Sequence, residues 1–142
     1  MGGVPIDHVG KWNGSSWEAL PTPGPSGAVY GCRSTADELL VFGAFTEVNG
    51  EESHRIAGWN GSSWSTWPAI DSTDPWGSIA DAIWYNNELY VCGNFSSSQQ
   101  TGLADIARWD GNTWQPVGNG FSGGITNAAC MHVYQNELYV GG

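Results

Sequence analysis

One phrase occurs three times in this chain: Trp12-Asn13-Gly14-Ser15-Ser16-Trp17, Trp59-Asn60-Gly61-Ser62-Ser63-Trp64 and Trp109-Asp110-Gly111-Asn112-Thr113-Trp114. A second phrase keeps step with it: Asp37-Glu38-Leu39-Leu40-Val41-Phe42-Gly43, Asn87-Glu88-Leu89-Tyr90-Val91-Cys92-Gly93 and Asn136-Glu137-Leu138-Tyr139-Val140-Gly141-Gly142. The leading tryptophans are 47 and 50 residues apart, so the 142 residues are three copies of one unit rather than one irregular domain. In such an array each unit contacts its neighbours, and the repeat period replaces total length as the guide to architecture.

Each unit reads as four short strands. Asn-Gly between two aromatic arms is a hairpin signal because both residues tolerate positive φ. The arms alternate in polarity, as in Ile106-Ala107-Arg108-Trp109 and Trp114-Gln115-Pro116-Val117, and are designated C and D. The Glu-Leu-Tyr-Val-Cys-Gly phrase is apolar on both faces of the pleat and follows a polar turn such as Tyr85-Asn86-Asn87, which makes it strand B, covered on both sides. Upstream lies strand A, rich in Ala, Gly and Cys, as in Ala28-Val29-Tyr30-Gly31-Cys32. Four antiparallel strands repeated at this period predict β-propeller blades, and no segment carries a competing helical period.

The phase of the repeat predicts split blades. Residues 1–20 supply strands C and D, residues 28–67 and 79–117 are full blades, and residues 126–142 supply strands A and B. Three blade-equivalents do not close a ring, since propellers have about four to eight blades. Two copies, each lending its C-terminal A/B pair to the partner's N-terminal C/D pair, would make a six-bladed homodimer and hide apolar faces that soluble monomers avoid exposing. A segment of a longer propeller, a nine-bladed trimer, an open form and an engineered assembly without ligand are the alternatives.

Composition narrows the function. The net charge is −10, with only Lys11, Arg33, Arg55 and Arg108 basic, so nucleic acid and anionic membranes are poor partners. No apolar run approaches the roughly 18 residues that span a bilayer, and Met1-Gly2-Gly3 lacks a signal-peptide pattern, so the chain reads as soluble with no assigned compartment. Cys32, Cys92 and Cys130 fall at different repeat positions with no metal or disulfide spacing, and are expected as buried small hydrophobes.

Strand parity puts the A–B and C–D turns at one end and all long loops at the other, where ligands are expected. Trp12, Trp17, Trp59, Trp64, Trp109 and Trp114 are assigned to packing between blades. The ligand-binding candidates are Trp76, Asp71 and Asp74 in the longest D–A loop, Phe121 in the Gly-rich one, and Asp81 on strand A, lining a channel. A loop tryptophan beside carboxylates suits a sugar ring, and acidic loops carrying Glu47, Glu51 and Glu52 leave room for calcium, although the ligand alternation of a calcium loop is missing and no cofactor is expected. His8, His54 and His132 sit at unrelated repeat positions, which gives no metal-site or catalytic pattern.

The Tyr139-Val140-Gly141-Gly142 strand end followed by a Trp109-Asp110-Gly111-Asn112-Thr113-Trp114 type hairpin resembles kelch-like propeller repeats over essentially the whole chain. It departs in using Trp as first hairpin aromatic and a single Gly at Gly43 and Gly93. The resemblance implies a propeller that binds ligands on its long-loop face. The same hairpin resembles the Asp-box of sialidases, but the arginine cluster those enzymes need has no counterpart here. The expectation is a non-enzymatic scaffold for a protein or glycan, self-associated as a dimer, with a glycan-active or other propeller enzyme as the alternative.

Overall fold

In the computed structural model, which describes residues 3–70, 77–96, 103–121 and 127–142, the chain is all-β, with fourteen strands and no helix among those residues. β1 (Gly10–Trp12) and β2 (Trp17–Ala19) form an antiparallel hairpin. β3 (Val29–Ser34), β4 (Leu39–Gly43), β7 (Ile56–Trp59) and β8 (Trp64–Thr66) form a four-stranded antiparallel meander, with the short hairpin β5 (Glu47–Val48) and β6 (Glu51–Glu52) inserted between β4 and β7. β9 (Ser78–Tyr85), β10 (Glu88–Ser96), β11 (Ala104–Trp109) and β12 (Trp114–Pro116) repeat the meander, and β13 (Cys130–Tyr134) pairs with β14 (Glu137–Gly141). The hairpin after β4 corrects the reading of Glu47, Glu51 and Glu52 as loop residues. It carries the two-residue turn that Asn-Gly favours, with φ of 54° at Asn49 and 76° at Gly50.

The thrice-repeated phrase folds differently from the turn predicted for it. The tryptophans pair directly, Trp12 with Trp17, Trp59 with Trp64 and Trp109 with Trp114, leaving four residues in each loop. Only the glycines are left-handed, with φ of 103°, 99° and 101° at Gly14, Gly61 and Gly111. The residue before each glycine acts through its side chain instead. Asn13 Oδ1 accepts from the Ser15 and Ser16 amides at 2.9 Å, and Asn60 Oδ1 accepts from the Ser62 and Ser63 amides at 3.0 and 2.9 Å. Asp110 Oδ1 accepts from Asn112 and Thr113 at 2.9 and 2.8 Å, and the Thr113 and Asn112 amides hold its carboxyl below the usual range. A short polar side chain that caps its own loop explains why Asn and Asp interchange here.

Successive sheets bury their apolar residues against each other. Leu40, Phe42 and Ile56 of the first meander pack with Ile79, Leu89, Val91 and Ala107 of the second. Val9 joins Val41 and Ala57 where the N-terminal hairpin meets the first meander, and Leu138 and Val140 join Tyr90, Cys92 and Ile106 where the second meets the C-terminal hairpin. β4 and β10 are buried almost throughout because both of their faces are covered. Trp64 Nε1 reaches back to donate to Pro21 O at 3.3 Å, and Trp114 Nε1 donates to Pro68 O at 2.8 Å, so the same position in each meander is tied to the preceding unit.

Strand B ends on glycine because two backbones nearly touch there. A Cβ on Gly43 would lie 2.0 Å from Ala28 O, one on Gly93 2.0 Å from Ser78 O, and one on Gly142 2.2 Å from Asn127 O. Backbone atoms cannot swing aside as a long side chain can, so Gly93→Ala is expected to destabilise the protein by about 3 kcal/mol, at the upper end of overpacking costs. Chemical denaturation measures this, and an unchanged unfolding midpoint would mean that the close approach is not required.

Candidate functional site

The inner strands of the three units lie side by side, β9 packing against β3 and β4 on one flank and β13 on the other. β3 and β9 each carry a bulge at the same place. Phe42 faces Gly31 while Gly43 faces Val29, and Cys92 faces Asp81 while Gly93 faces Ile79. A bulge re-aims the side chain next to it. Asp81, the inner-strand candidate, sits at this irregularity with 13% of its side chain exposed. Its Oδ1 accepts from Arg33 Nη2 at 2.7 Å and from the Ala82 amide at 2.8 Å, and its Oδ2 accepts from the Met131 amide at 2.8 Å. One carboxylate therefore ties β3, β9 and β13 together, and its oxygens face protein donors. Sequence reasoning missed Arg33 as the partner, although it is the only basic residue on an inner strand and Asp81 the only acidic one.

The cysteines divide. Cys92 on β10 is buried, and burial, with a smaller contribution from the Asp81 charge, pushes its thiol up to about 12. Cys32 and Cys130 are exposed, which corrects the expectation that all three are buried. β3 and β13 lie at the edges of their sheets with mostly exposed residues, whereas β10 lies between β9 and β11 and is covered on both faces. Among the described residues no group of three or more His, Cys, Asp or Glu side chains is placed to hold a metal ion.

At the long-loop end, Trp76, Asp71 and Asp74 lie outside the described residues. Phe121 is half-buried and packs on the cluster of Tyr90, Cys92, Ile106, Ala128 and Met131, so much of its ring is already occupied by the protein. Glu47, Glu51 and Glu52 are exposed on β5 and β6, a hairpin anchored by buried Val48 and by Ser26, whose Oγ accepts from the Thr46 and Glu47 amides at 3.2 and 3.0 Å.

At the opposite end, a groove runs between the β3–β4 and β9–β10 turns. It is lined by Trp84, 41% exposed, and by Ser34, Thr35, Ala36, Asp37 and Asn87. An accessible indole face beside hydroxyl, amide and carboxylate groups has the chemistry of a sugar site, one apolar wall with polar groups around it. The turns that build it are specified locally. Asn86 and Asn87 are both left-handed, with φ of 50° and 65°, while Thr35 Oγ1 accepts from the Asp37 and Glu38 amides at 3.2 and 2.9 Å.

The six repeat tryptophans have unequal surroundings. Trp114 is 4% exposed and Trp59, Trp64 and Trp109 are half-buried, whereas Trp12 and Trp17 are 52% and 54% exposed. Trp67 packs against Trp109 and Trp114 and donates to Glu38 Oε1 at 2.8 Å.

Compared with known proteins, the chain matches no family model, no curated protein and no solved structure.

Removing the Asp81 carboxylate strips the Met131 amide of its acceptor and Arg33 of its ion-pair partner. Asp81→Ala is expected to lower stability by about 2 kcal/mol, and Asp81→Asn, which keeps one carbonyl acceptor, by less. Equal stability of all three forms in denaturant titrations would refute the tying role.

Proposed function

We propose that this chain is a non-enzymatic binding scaffold of kelch-like propeller type, in which two copies close a six-bladed ring and the long loops present a surface to a protein or glycan. The observation that carries this reading is the repeated order of strands A, B, C and D, with apolar clusters between successive sheets and an open hairpin on either flank. Thin sheets whose two faces are both apolar need a neighbour on each side, and a ring supplies one to all of them. The acidic loops, together with a net charge of −10, favour a neutral or cationic ligand over nucleic acid.

A second reading concerns the opposite end. The groove beside Trp84 has the chemistry of a glycan site, and it does not depend on residues 71–76.

In light scattering the protein is expected at twice the 15.2 kDa chain mass. A folded species at the monomer mass would end the ring reading, and one at three times that mass would replace six blades by nine. On a glycan array, a saccharide bound at the Trp84 groove is expected to shift tryptophan fluorescence and to lose at least about tenfold in affinity in Trp84→Ala, a stacking loss of roughly 1.4 kcal/mol. Binding unchanged in Trp84→Ala would move the ligand to the long-loop face, and no bound glycan would leave a protein as the partner.

A further inference from the structure

Among the described residues β14 pairs with β13 alone and β1 with β2 alone, while the equivalent strands B and C of both meanders pair with each other. An unpaired strand edge is a template for another strand. We infer that β1 of a second copy of this chain docks on β14 in one fixed register, Leu138 opposite Trp12, Tyr139 opposite Lys11 and Val140 opposite Gly10. This rests on the ring reading above and specifies its seam.

The register follows from two internal precedents. Leu39, Leu40 and Val41 face Trp59, Gly58 and Ala57, and Leu89, Tyr90 and Val91 face Trp109, Arg108 and Ala107. A slip of one residue would turn every side chain to the wrong face. The backbones at the seam are already shaped for this register. The residue four before each leading tryptophan is left-handed, His8 at 60°, Arg55 at 71° and Asp105 at 61°, although the three side chains have nothing in common. In the first meander its carbonyl accepts from the closing glycine of strand B, Gly43 N to Arg55 O at 3.0 Å, and at the seam the equivalent donor and acceptor are Gly142 N and His8 O.

Charge fits as well. In the second meander the strand-B glutamate pairs across the ladder with a base, Arg108 Nη1 to Glu88 Oε1 at 2.6 Å. The same two positions at the seam are Lys11 and Glu137. Lys11 is 66% exposed and has only a 3.6 Å contact to Glu18 in its own hairpin. The tryptophan tie has its counterpart too. Trp64 and Trp114 donate to Pro21 O and Pro68 O of the preceding unit, four residues after Trp17 and Trp64, and the acceptor so placed for Trp17 of the second copy is Gly118 O. Apart from Trp84, every large hydrophobic left exposed among the described residues lies in the N-terminal segment, on β3 or on the β13–β14 hairpin, the surfaces that this docking covers.

Charge reversal in mixed variants tests the register. Lys11→Glu alone puts two glutamates together at every seam, and Glu137→Lys alone puts two lysines together, so each is expected to weaken self-association severalfold. In a heterodimer of the two variants one seam has the native pair and the other the reversed pair, so equimolar mixing is expected to restore association to near the wild-type level. A cysteine pair gives an independent readout. With Cys32→Ser and Cys130→Ser as background, Lys11→Cys with Tyr139→Cys is expected to give an inter-chain disulfide on oxidation, and Lys11→Cys with Val140→Cys, which point to opposite faces, is not. A dimer in which neither mixing nor oxidation responds would overturn the seam and leave the ring standing. A trimer that cross-links as stated would support the seam and overturn the six-bladed count, and a wild-type monomer would overturn both.

Discussion

Each four-stranded sheet in this protein is a single thin layer with apolar residues on both faces, and only another sheet can cover them. β4 and β10 show the constraint at its strongest, since they alternate between two buried faces rather than between core and solvent. The apolar clusters consequently lie between successive units. Stability is then a property of interfaces between neighbours, as in other repeat arrays, and a unit deprived of a neighbour keeps its hairpins but loses its cover.

Two local devices set how closely the layers and strands approach. The glycine that closes strand B lets its backbone meet that of strand A, where a methyl group would collide with a carbonyl oxygen. The bulge in strand A absorbs the resulting mismatch in both meanders, leaving Tyr30 and Ala80 out of the ladder. The ladder positions beside them are occupied by Gly31 and Asp81. Only Asp81 carries a charge, and there it becomes a three-strand tie with Arg33 and the Met131 amide. A single carboxylate holding three inner strands in this way serves cohesion more directly than ligand capture.

Strand order was legible in the sequence because it rests on period-two alternation and on a phrase repeated with its spacing. Turn chemistry was less so. Asn-Gly was read as a left-handed pair in the Trp hairpins, where the asparagine instead caps the loop through its side chain, while a true left-handed Asn-Gly pair at Asn49 and Gly50 went unread because its strands are only two residues long. The left-handed residue four before each leading tryptophan left no trace in composition, being His, Arg and Asp in turn. Of the candidate site, Asp81 was placed on the correct strand, but its partners come from strands 48 and 50 residues away, beyond the reach of any local pattern. The Trp84 groove combines two turns from different units and was invisible for the same reason.

The repeated phrase also separates what is local from what is not. The Trp12–Trp17 and Trp109–Trp114 rings lie 5.4 and 5.3 Å apart, with interplanar angles of 56° and 59°, so the hairpin reproduces itself faithfully at both places. Yet Trp17 is 54% exposed where Trp114 is 4% exposed. Nothing in the six residues of the phrase accounts for that difference. It comes from what stands on the preceding side, the strand-D end at Pro68 for Trp114 and no described residue for Trp17. A tryptophan carries about 150–250 Å² of surface to bury, so in the seam proposed above Trp17 would gain its cover from the neighbouring copy. There Lys11 and Glu137 would take the places that Arg108 and Glu88 hold in the second meander, the charges selecting the register and the indoles supplying the affinity.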